Sequence, residues 1–370
     1  MTDVQFAYDE DETALREAVR SMLVSVCTPE ALSTAFAGDR SLLDRVRDAL
    51  RDQLGLGGLL LDEDALAFAG VVAEELGRQV APAPFLTSAA IAATVVSAVA
   101  DQSLVDEVAA GRTLAVPVPW SSAYDDVRPV ARIDADGTLT GIASHVVGVL
   151  EADGLLVPAI GADGVLELHL VAADALGVER RLVTALDMTR PLATVTLSGV
   201  ASVRVGRGVV VDAALRRGLA VGTILLGSEQ LGLADEVLRS TVDYLRTRRQ
   251  FGRELGSFQA LKHRVADLWV DLEGLRAVAR YGVLAATDPL EYRASLVAAY
   301  ASDVVVQLVE ECLQLHGGIA MTWEHPLHYA LKRAKSNQIA LGPSGRHRML
   351  LAELVGLAAA DVSPREPALS

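Results

Sequence analysis

From Asp212 onward, apolar side chains recur at the spacing of α-helices, and this long pattern constrains the fold more than any other feature of the chain. The recurrence predicts helices over residues 219–245, 258–279, 296–315 and 349–357. Ser257 is the expected N-cap of the second helix, and Gly317-Gly318 form the expected end of the third. Because long helices joined by short connections form antiparallel bundles, we expect a four-helix bundle here.

Short β-prone runs replace the helical pattern between about residues 113 and 210. Turn signals separate the runs, and Asp134-Ala135-Asp136-Gly137 marks a hairpin. Several short strands at such spacing predict a compact β-barrel or sandwich, whereas the residues before them again have helical periodicity. We therefore predict an N-terminal α-helical domain at 1–112, a small middle β-barrel domain at 113–210, a C-terminal four-helix bundle at 211–362 and a disordered tail at 363–370.

Composition and charge argue against several classes of protein. With 33 Lys and Arg against 48 Asp and Glu, the net charge is −15, which disfavours binding to nucleic acid or to anionic membranes. No apolar run is long enough to predict a membrane-spanning helix, and the acidic N-terminus is unlike a secretory signal. Cys27 and Cys312 lack metal-ligand spacing, so we expect two buried free thiols in a reducing cytoplasm, with a disulfide or a reactive thiol as the alternatives.

Two short segments are dense in residues with special chemistry. The first, Arg248 to Ala260, joins a cation pair, an aromatic side chain, two turn glycines and an amide; the second is Gln314-Leu315-His316-Gly317-Gly318. Arg248 can pair with phosphate oxygens bidentately, Phe251 can pack against a nucleotide, and bare glycine backbone lets a ligand approach closely. Each feature also has a purely structural interpretation, because arginines complement helix C-termini, glycines end helices and aromatic side chains fill cores.

Five motifs in one order and spacing give the chain a resemblance to a known family. They are Arg248-x-Gln-Phe-Gly, His263–Asp267, Gln314–Gly318, Thr322–His325 and Lys332–Lys335. Together with the order of helical, β and helical segments, they resemble the acyl-CoA dehydrogenases over nearly the whole chain. The resemblance implies FAD as the cofactor, acyl-CoA as the substrate and α,β-desaturation of the thioester as the reaction.

In that family the two dense segments reach across a subunit interface and hold the flavin of the neighbouring subunit. By position, the resemblance implies FAD-binding roles for Arg248, Gln250, Phe251, Leu255, Phe258, Gln314, Leu315, Gly317 and Gly318. It also implies an assembly of homologous subunits as a dimer of dimers, with an electron-transfer flavoprotein as the electron acceptor.

The catalytic base of the family has no counterpart at its usual position. Family members carry a carboxylate followed by glycine in the loop before the last helix, and the matching residues here are Leu341 and Gly342. Leucine cannot accept a proton. Some relatives carry the base on the first long bundle helix, where Gly222 aligns. Glu229, on the same predicted helix, is a candidate base, with a structural glutamate as the alternative.

The middle domain also departs from the family. Pro119 alone is kept from the usual flavin-binding and substrate-binding pattern. His145 and Val147 align with an aromatic residue and a threonine that normally meet the flavin ring. The segments that serve a neighbour's flavin are therefore kept, whereas those that would hold this chain's own flavin and abstract the proton are lost.

This pattern of loss leads to one hypothesis and two alternatives. The leading hypothesis is the base-less subunit of an actinobacterial-type α2β2 acyl-CoA dehydrogenase, acting in the cytoplasm in lipid or steroid side-chain catabolism. One alternative is a homo-oligomeric dehydrogenase with an unrecognised base, such as Glu229 or Glu324. The other is a non-enzymatic scaffold that binds only a protein partner.

Overall fold

The structure, a computed structural model, describes residues 6–323 and 325–357. Its elements run in the order helices, strands, helices, which confirms the predicted three-part fold class. The division into domains after residues 112, 210 and 362 stays a prediction. The tail predicted at 363–370 lies outside the described residues.

Helices occupy the described chain up to the first strand. The α-helices are α1 (Glu10–Val26), α2 (Pro29–Phe36), α3 (Ser41–Asp52), α4 (Leu66–Arg78), α5 (Ala93–Val99) and α6 (Gln102–Ala109), with 3-10 turns at Leu56–Leu61 and Glu63–Ala65 and a π-helix at Phe85–Ala92. A capping box starts α1, because the side chains of Asp9 and Glu12 each accept a hydrogen bond from the other's backbone N–H. In α4 and in the π-helix, consecutive residues are buried on every side of the helix. These two elements therefore lie at the centre of this region.

The middle strands form a single mixed sheet. They are β1 (Leu114–Ala115), β2 (Ala131–Ile133), β3 (Leu139–Val147), β4 (Gly154–Ile160), β5 (Leu166–Ala172), β6 (Val178–Val183), β7 (Leu192–Val200) and β8 (Val203–Arg207). Their order is β6-β7-β3-β2-β4-β5-β8, and β1 also pairs with β4. The hairpin predicted at Asp134–Gly137 joins the antiparallel strands β2 and β3, as expected.

The last part of the described chain is a helical bundle with one small hairpin. Its elements are α7 (Val209–Thr247), β9 (Arg249–Gln250), β10 (Arg253–Glu254), a 3-10 turn at Leu255–Ser257, α8 (Gln259–Leu284), α9 (Leu290–His316), a 3-10 turn at Gly317–Met321, α10 (Leu327–Ile339) and α11 (Ser344–Leu354). The helices α7, α8 and α9 enclose a common apolar core, which α10 completes.

The bundle differs from the predictions in several details, among them the bounds of α7, which begins at Val209 rather than near residue 219, and of α11, which covers Ser344–Leu354 rather than 349–357. Ser257 does not cap α8; its hydroxyl donates to the Glu254 carbonyl at 2.6 Å, because residues 255–257 form a separate 3-10 turn. The third helix begins at Leu290 rather than near residue 296, since it follows Pro289 directly. The helix α10 is not predicted from the sequence, because its lysines and arginines obscure the apolar period.

Both cysteines are buried and neither forms a disulfide, which confirms the predicted free thiols. Burial raises the pKa of Cys27 to about 12 and the pKa of Cys312 to about 11. At neutral pH both groups are therefore uncharged, and they act as small apolar side chains in the core.

Candidate functional site

The first dense segment folds as a two-residue hairpin at the end of α7. The strands β9 and β10 pair antiparallel, with Gln250 opposite Arg253 and a turn made of Phe251 and Gly252. Both turn residues have positive φ, +52° and +79°, as a type I′ turn requires. Glycine adopts this conformation freely, but Phe251 does so against its steric preference. Since the Phe251 side chain is 86% exposed, packing within this chain does not explain that conformation.

Arg248 lies at the base of this hairpin with its side chain exposed. Its backbone carbonyl accepts a hydrogen bond from the Leu255 N–H at 2.9 Å, which closes the hairpin. Its guanidinium has no ion pair or hydrogen bond with any described residue. The neighbouring Arg249, in contrast, pairs with Glu254 at 3.5 Å.

The two phenylalanines of the segment face each other. The rings of Phe251 and Phe258 meet edge to face with centroids 6.2 Å apart, and the Arg253 guanidinium lies 3.8 Å from the Phe258 centroid. The hairpin therefore presents Arg248, unpaired among the described residues, beside an aromatic surface. The exposed Gln250 lies on the same two strands.

The second dense segment is the end of α9. Gly317, with φ at +67°, ends the helix, and its N–H donates to the carbonyls of Leu313 and Gln314. A Cβ placed on Gly317 or Gly318 would meet nothing within 4 Å, so the space beside this backbone is open. Gln314 is exposed, whereas Leu315 is buried in the bundle core. Only the backbone of Leu315 can therefore meet a ligand.

Tyr244 and His316 join the two segments. Their rings stack with centroids 4.4 Å apart, and the Tyr244 hydroxyl donates to the His316 carbonyl at 3.4 Å. Tyr244 also holds the start of the first segment, because its own carbonyl accepts from the Arg248 N–H at 2.8 Å. The structure thus brings the two predicted FAD-binding segments together at one end of the bundle.

The donor set at this end of the bundle fits one end of FAD. An unpaired arginine suits the pyrophosphate, the exposed ring of Phe251 suits a flat nucleotide surface, and open glycine backbone allows hydrogen bonds at close approach. Of these groups, Arg248, Phe251, Gln314, Gly317 and Gly318 are exposed on the surface of this chain.

The residues around Leu341, where the resemblance implies a base, are hydrogen-bonded to one another. The Leu341 N–H donates to the Trp120 carbonyl at 2.7 Å, and the Trp120 N–H donates to the His145 carbonyl at 2.9 Å. His347 donates from Nε2 to the Leu341 carbonyl at 2.9 Å. The loop after β1, the strand β3 and the loop before α11 are thereby held in direct contact.

The Leu341 side chain is 0% exposed and belongs to the largest apolar core. It lies against Gly222, where an added Cβ would come within 3.3 Å of Leu341 and 2.7 Å of Ile91. Apolar packing therefore fills the space around Leu341, the position that the resemblance predicts for a base. His145, which aligns with a flavin-contacting residue, is exposed, whereas Val147 is buried.

Glu229 lies at the centre of a buried polar network rather than in a cleft. Its carboxylate accepts from Arg190 at 2.5 Å, from Arg333 at 3.1 Å and from Asn337 at 3.0 Å. Burial alone would raise the Glu229 pKa, but Arg190 and Arg333 outweigh it and hold the pKa below its ordinary value. A carboxylate so stabilised is a poor proton acceptor, which favours the structural alternative for Glu229.

Sequence reasoning missed the other members of this network. Arg333 also donates to Asp187 at 2.5 Å and to Thr189 at 2.6 Å, so the network joins α7 and α10 to the connection between β6 and β7. The Lys332–Lys335 motif could have indicated this network. It contains Arg333, and a cation on the buried face of a helix needs an acidic partner. The other candidate base, Glu324, lies outside the described residues.

Comparison with known proteins decides the family. Residues 211–356 match the family model "acyl-CoA dehydrogenase, C-terminal domain". The acyl-CoA dehydrogenase IpdE2 of Mycobacterium tuberculosis is 32% identical over 353 residues, covering 93% of this chain and 98% of that protein. This chain belongs to the acyl-CoA dehydrogenase family. It is therefore related to FAD-dependent oxidoreductases over almost its full length.

Two solved structures of similar fold each carry the names of two proteins. A variant of the Tcur3481-Tcur3483 steroid acyl-CoA dehydrogenase matches with a TM-score of 0.80 and 29% identity, over 95% of this chain and 99% of that one. The ChsE4-ChsE5 complex from Mycobacterium tuberculosis matches with a TM-score of 0.81 and 27% identity, over 96% of this chain and 100% of that one. Among the described residues, no helix is long and apolar enough to cross a membrane.

Proposed function

We propose that this chain is the subunit of a heteromeric acyl-CoA dehydrogenase that lacks the catalytic carboxylate and completes the FAD site of a homologous partner. Leu341 carries the proposal. It aligns with the family's base position, cannot accept a proton, and is buried in a core that also contains Trp120 and Ile91. The proton acceptor of the reaction must therefore lie in the partner.

This chain contributes binding groups rather than the base. Arg248 would pair with the FAD pyrophosphate, Phe251 and Phe258 would pack beside the nucleotide, and Gln314 with the backbone at Gly317 and Gly318 would add hydrogen bonds. Bound FAD supplies the acceptor for the hydride that leaves the β-carbon of the acyl-CoA. Leu315 is buried in the bundle core under this surface, and Leu255 packs against the same core. Gln250 lies on the hairpin, two residues after Arg248.

The comparisons support the heteromeric form. Two structures of similar fold and more than 25% identity carry the names of two proteins each, and one of them is described as a steroid acyl-CoA dehydrogenase. We therefore infer an acyl-CoA thioester from lipid or steroid side-chain catabolism as substrate, and an electron-transfer flavoprotein as acceptor. The unbonded Cys27 and Cys312 agree with a cytoplasmic location, where thiols stay reduced.

Flavin content per chain tests the proposal. The protein is purified alone and after co-expression with the acyl-CoA dehydrogenase-like product of an adjacent gene. Visible absorbance after gel filtration then gives the ratio of FAD to protein. We expect no flavin on the lone chain and one FAD per two chains in the mixed complex.

The other outcomes separate the alternatives. One FAD per chain in the lone protein would overturn the proposal and require a base within this sequence. Absence of flavin from every assembly would favour a scaffold that binds only protein.

A further inference from the structure

A groove runs between the C-terminal part of α7 and the first half of α8. Its volume is about 320 Å³, and its apolar walls include Leu245, Leu261, Val265 and Trp269. Trp269 is 56% exposed, although tryptophan normally gains much by burial. The groove is thus a surface that the described part of this chain leaves uncovered.

Two cations border the groove without a partner. Arg246 and Lys262 line it, and neither side chain forms an ion pair or hydrogen bond with a described residue. In a chain with a net charge of −15, acidic side chains outnumber the basic ones that could pair with them. Two unpaired cations beside apolar walls therefore complement a ligand that is apolar with a negative charge next to it.

The groove is continuous with the hairpin that carries Arg248 and Phe251. Gly256 lines the groove and belongs to the 3-10 turn that follows β10. A Cβ at Gly256 would lie 3.1 Å from the Leu245 carbonyl oxygen, so this turn rests directly on α7. The groove therefore begins where the hairpin segment ends.

We propose that the groove receives a polypeptide segment of the FAD-holding partner, in which a large apolar side chain is followed or preceded by a carboxylate. The apolar side chain fills the space against Trp269 and Leu261, and the carboxylate pairs with Arg246 and Lys262. This assignment rests on the proposed function, because it identifies the partner as the homologous subunit whose flavin meets the hairpin.

Two variants test the assignment by sedimentation of the mixed complex. The double variant Arg246→Glu and Lys262→Glu reverses the charge, and Trp269→Ala removes the apolar wall. Each should raise the dissociation constant of the mixed complex at least tenfold, which corresponds to about 1.4 kcal/mol. Because the substituted side chains are exposed, the melting temperature of the lone chain should stay unchanged.

Matched controls carry the same kinds of change on the sheet. Arg181→Glu reverses a charge on β6, and Leu176→Ala shortens an exposed apolar side chain in the turn before it. Both controls should leave assembly unchanged. Equal weakening by the controls would overturn the assignment, because it would show a general effect of surface charge or apolar area.

The remaining outcomes distinguish this assignment from the proposed function. Normal assembly with lowered FAD content would assign the groove to the nucleotide and overturn the proposal. Loss of self-association of the lone chain in the variants would identify a second copy as the occupant, which also overturns it. If the wild-type complex contains no FAD yet depends on the groove, the proposed function fails while the docking surface stands.

Discussion

At the scale of single residues, two side chains with the same unusual backbone conformation differ in whether a ligand can reach them. Phe251 and Leu341 both have positive φ, +52° and +54°. Phe251 is exposed on a hairpin tip, whereas Leu341 is held by hydrogen bonds at both its N–H and its carbonyl. The same strained conformation therefore exposes one side chain to solvent and buries the other.

Arg248→Ala should lower FAD occupancy of the mixed complex without changing the stability of the lone chain. The guanidinium contacts no charged group of the described chain, so its removal affects only an external anion. Loss of a charge-assisted hydrogen bond weakens binding by about 1.5–3 kcal/mol, or roughly ten-fold to a hundred-fold. FAD titration followed by fluorescence measures the effect.

Arg249→Ala is the matched control, since Arg249 is adjacent but already paired with Glu254. It should change the FAD dissociation constant less than about threefold, roughly 0.6 kcal/mol. Equal effects of the two substitutions would count against a specific role for Arg248.

Leu341→Glu should destabilise the protein and should not create a catalytic base. The new carboxylate would enter an apolar core without a partner, which lowers the free energy of unfolding by about 3–5 kcal/mol at pH 7. Burial raises the folded-state pKa of such a group above its unfolded value, so the loss should be smaller at about pH 5 than at about pH 8. Urea unfolding at the two pH values measures both effects.

Leu341→Gln is the control, because it has the same shape as glutamate and no charge. Its destabilisation should not depend on pH between these values. Dehydrogenase activity of lone Leu341→Glu protein with bound FAD would contradict this expectation. It would show that substrate reaches residue 341 despite the closed packing around Trp120.

Between elements, the Glu229 network connects the bundle to the sheet. Two guanidiniums and two carboxylates are buried together, and Thr189 and Asn337 satisfy further hydrogen bonds. Their charges balance, which is the condition for burying ions in a core. The network fixes the connection from β6 to β7 against α7 and α10.

Glu229→Gln should lower the free energy of unfolding by about 3–5 kcal/mol at pH 7, because it leaves Arg190 and Arg333 with one carboxylate. The folded-state pKa values of Glu229 and Asp187 both lie below their ordinary values, since the arginines outweigh burial. Their stabilisation is therefore present above the unfolded pKa and is lost as pH falls towards the folded pKa. The difference between variant and wild type should accordingly shrink below about pH 4.

Urea unfolding curves at about pH 7 and at about pH 3.5 measure this convergence. Glu254→Gln, in an exposed pair with Arg249, should change stability by less than about 1 kcal/mol and serves as the control. Unchanged stability of Glu229→Gln with lost activity of the assembled enzyme would instead identify Glu229 as the base.

Across the whole molecule, two glycines let the N-terminal helices pack tightly against the bundle. The helix α4 crosses α7 so closely that a Cβ on Gly77 would overlap the Glu229 backbone, and a Cβ on Gly232 would overlap the Glu74 backbone. The largest core extends from the N-terminal helices through α7 to Leu341. The N-terminal helices and the bundle therefore share one apolar interior.

Gly232→Ala should destabilise the protein by about 1–3 kcal/mol or more, because the methyl group meets rigid backbone. Differential scanning calorimetry gives the change. Gly345→Ala is the control: it lies in α11, where a Cβ meets nothing within 4 Å, and the gain in helix propensity should leave stability equal or higher by about 0.5–1 kcal/mol. A neutral Gly232→Ala would mean that α4 and α7 can move apart without loss of packing.

Elements of the fold were predicted correctly where the residues of one short segment determine its structure. The hairpin at Asp134–Gly137, the long period of α7 and the helix end at Gly317 follow from local residue chemistry. The strand β6 and the helix α10 carry no such local signal. The edge strand β6 carries Glu179, Arg180 and Arg181 between apolar residues, and α10 carries cations whose partners lie far away in sequence.

Residue type and spacing alone were enough to establish the order of helical and β segments, the family resemblance and the absence of a carboxylate at Leu341. The surroundings of Glu229 and Leu341, in contrast, came from the tertiary structure. It buried Glu229 between Arg190 and Arg333, and it enclosed Leu341 in the apolar core that contains Trp120 and Ile91. Burial and pairing arise from contacts between residues distant in the chain, which no local pattern contains.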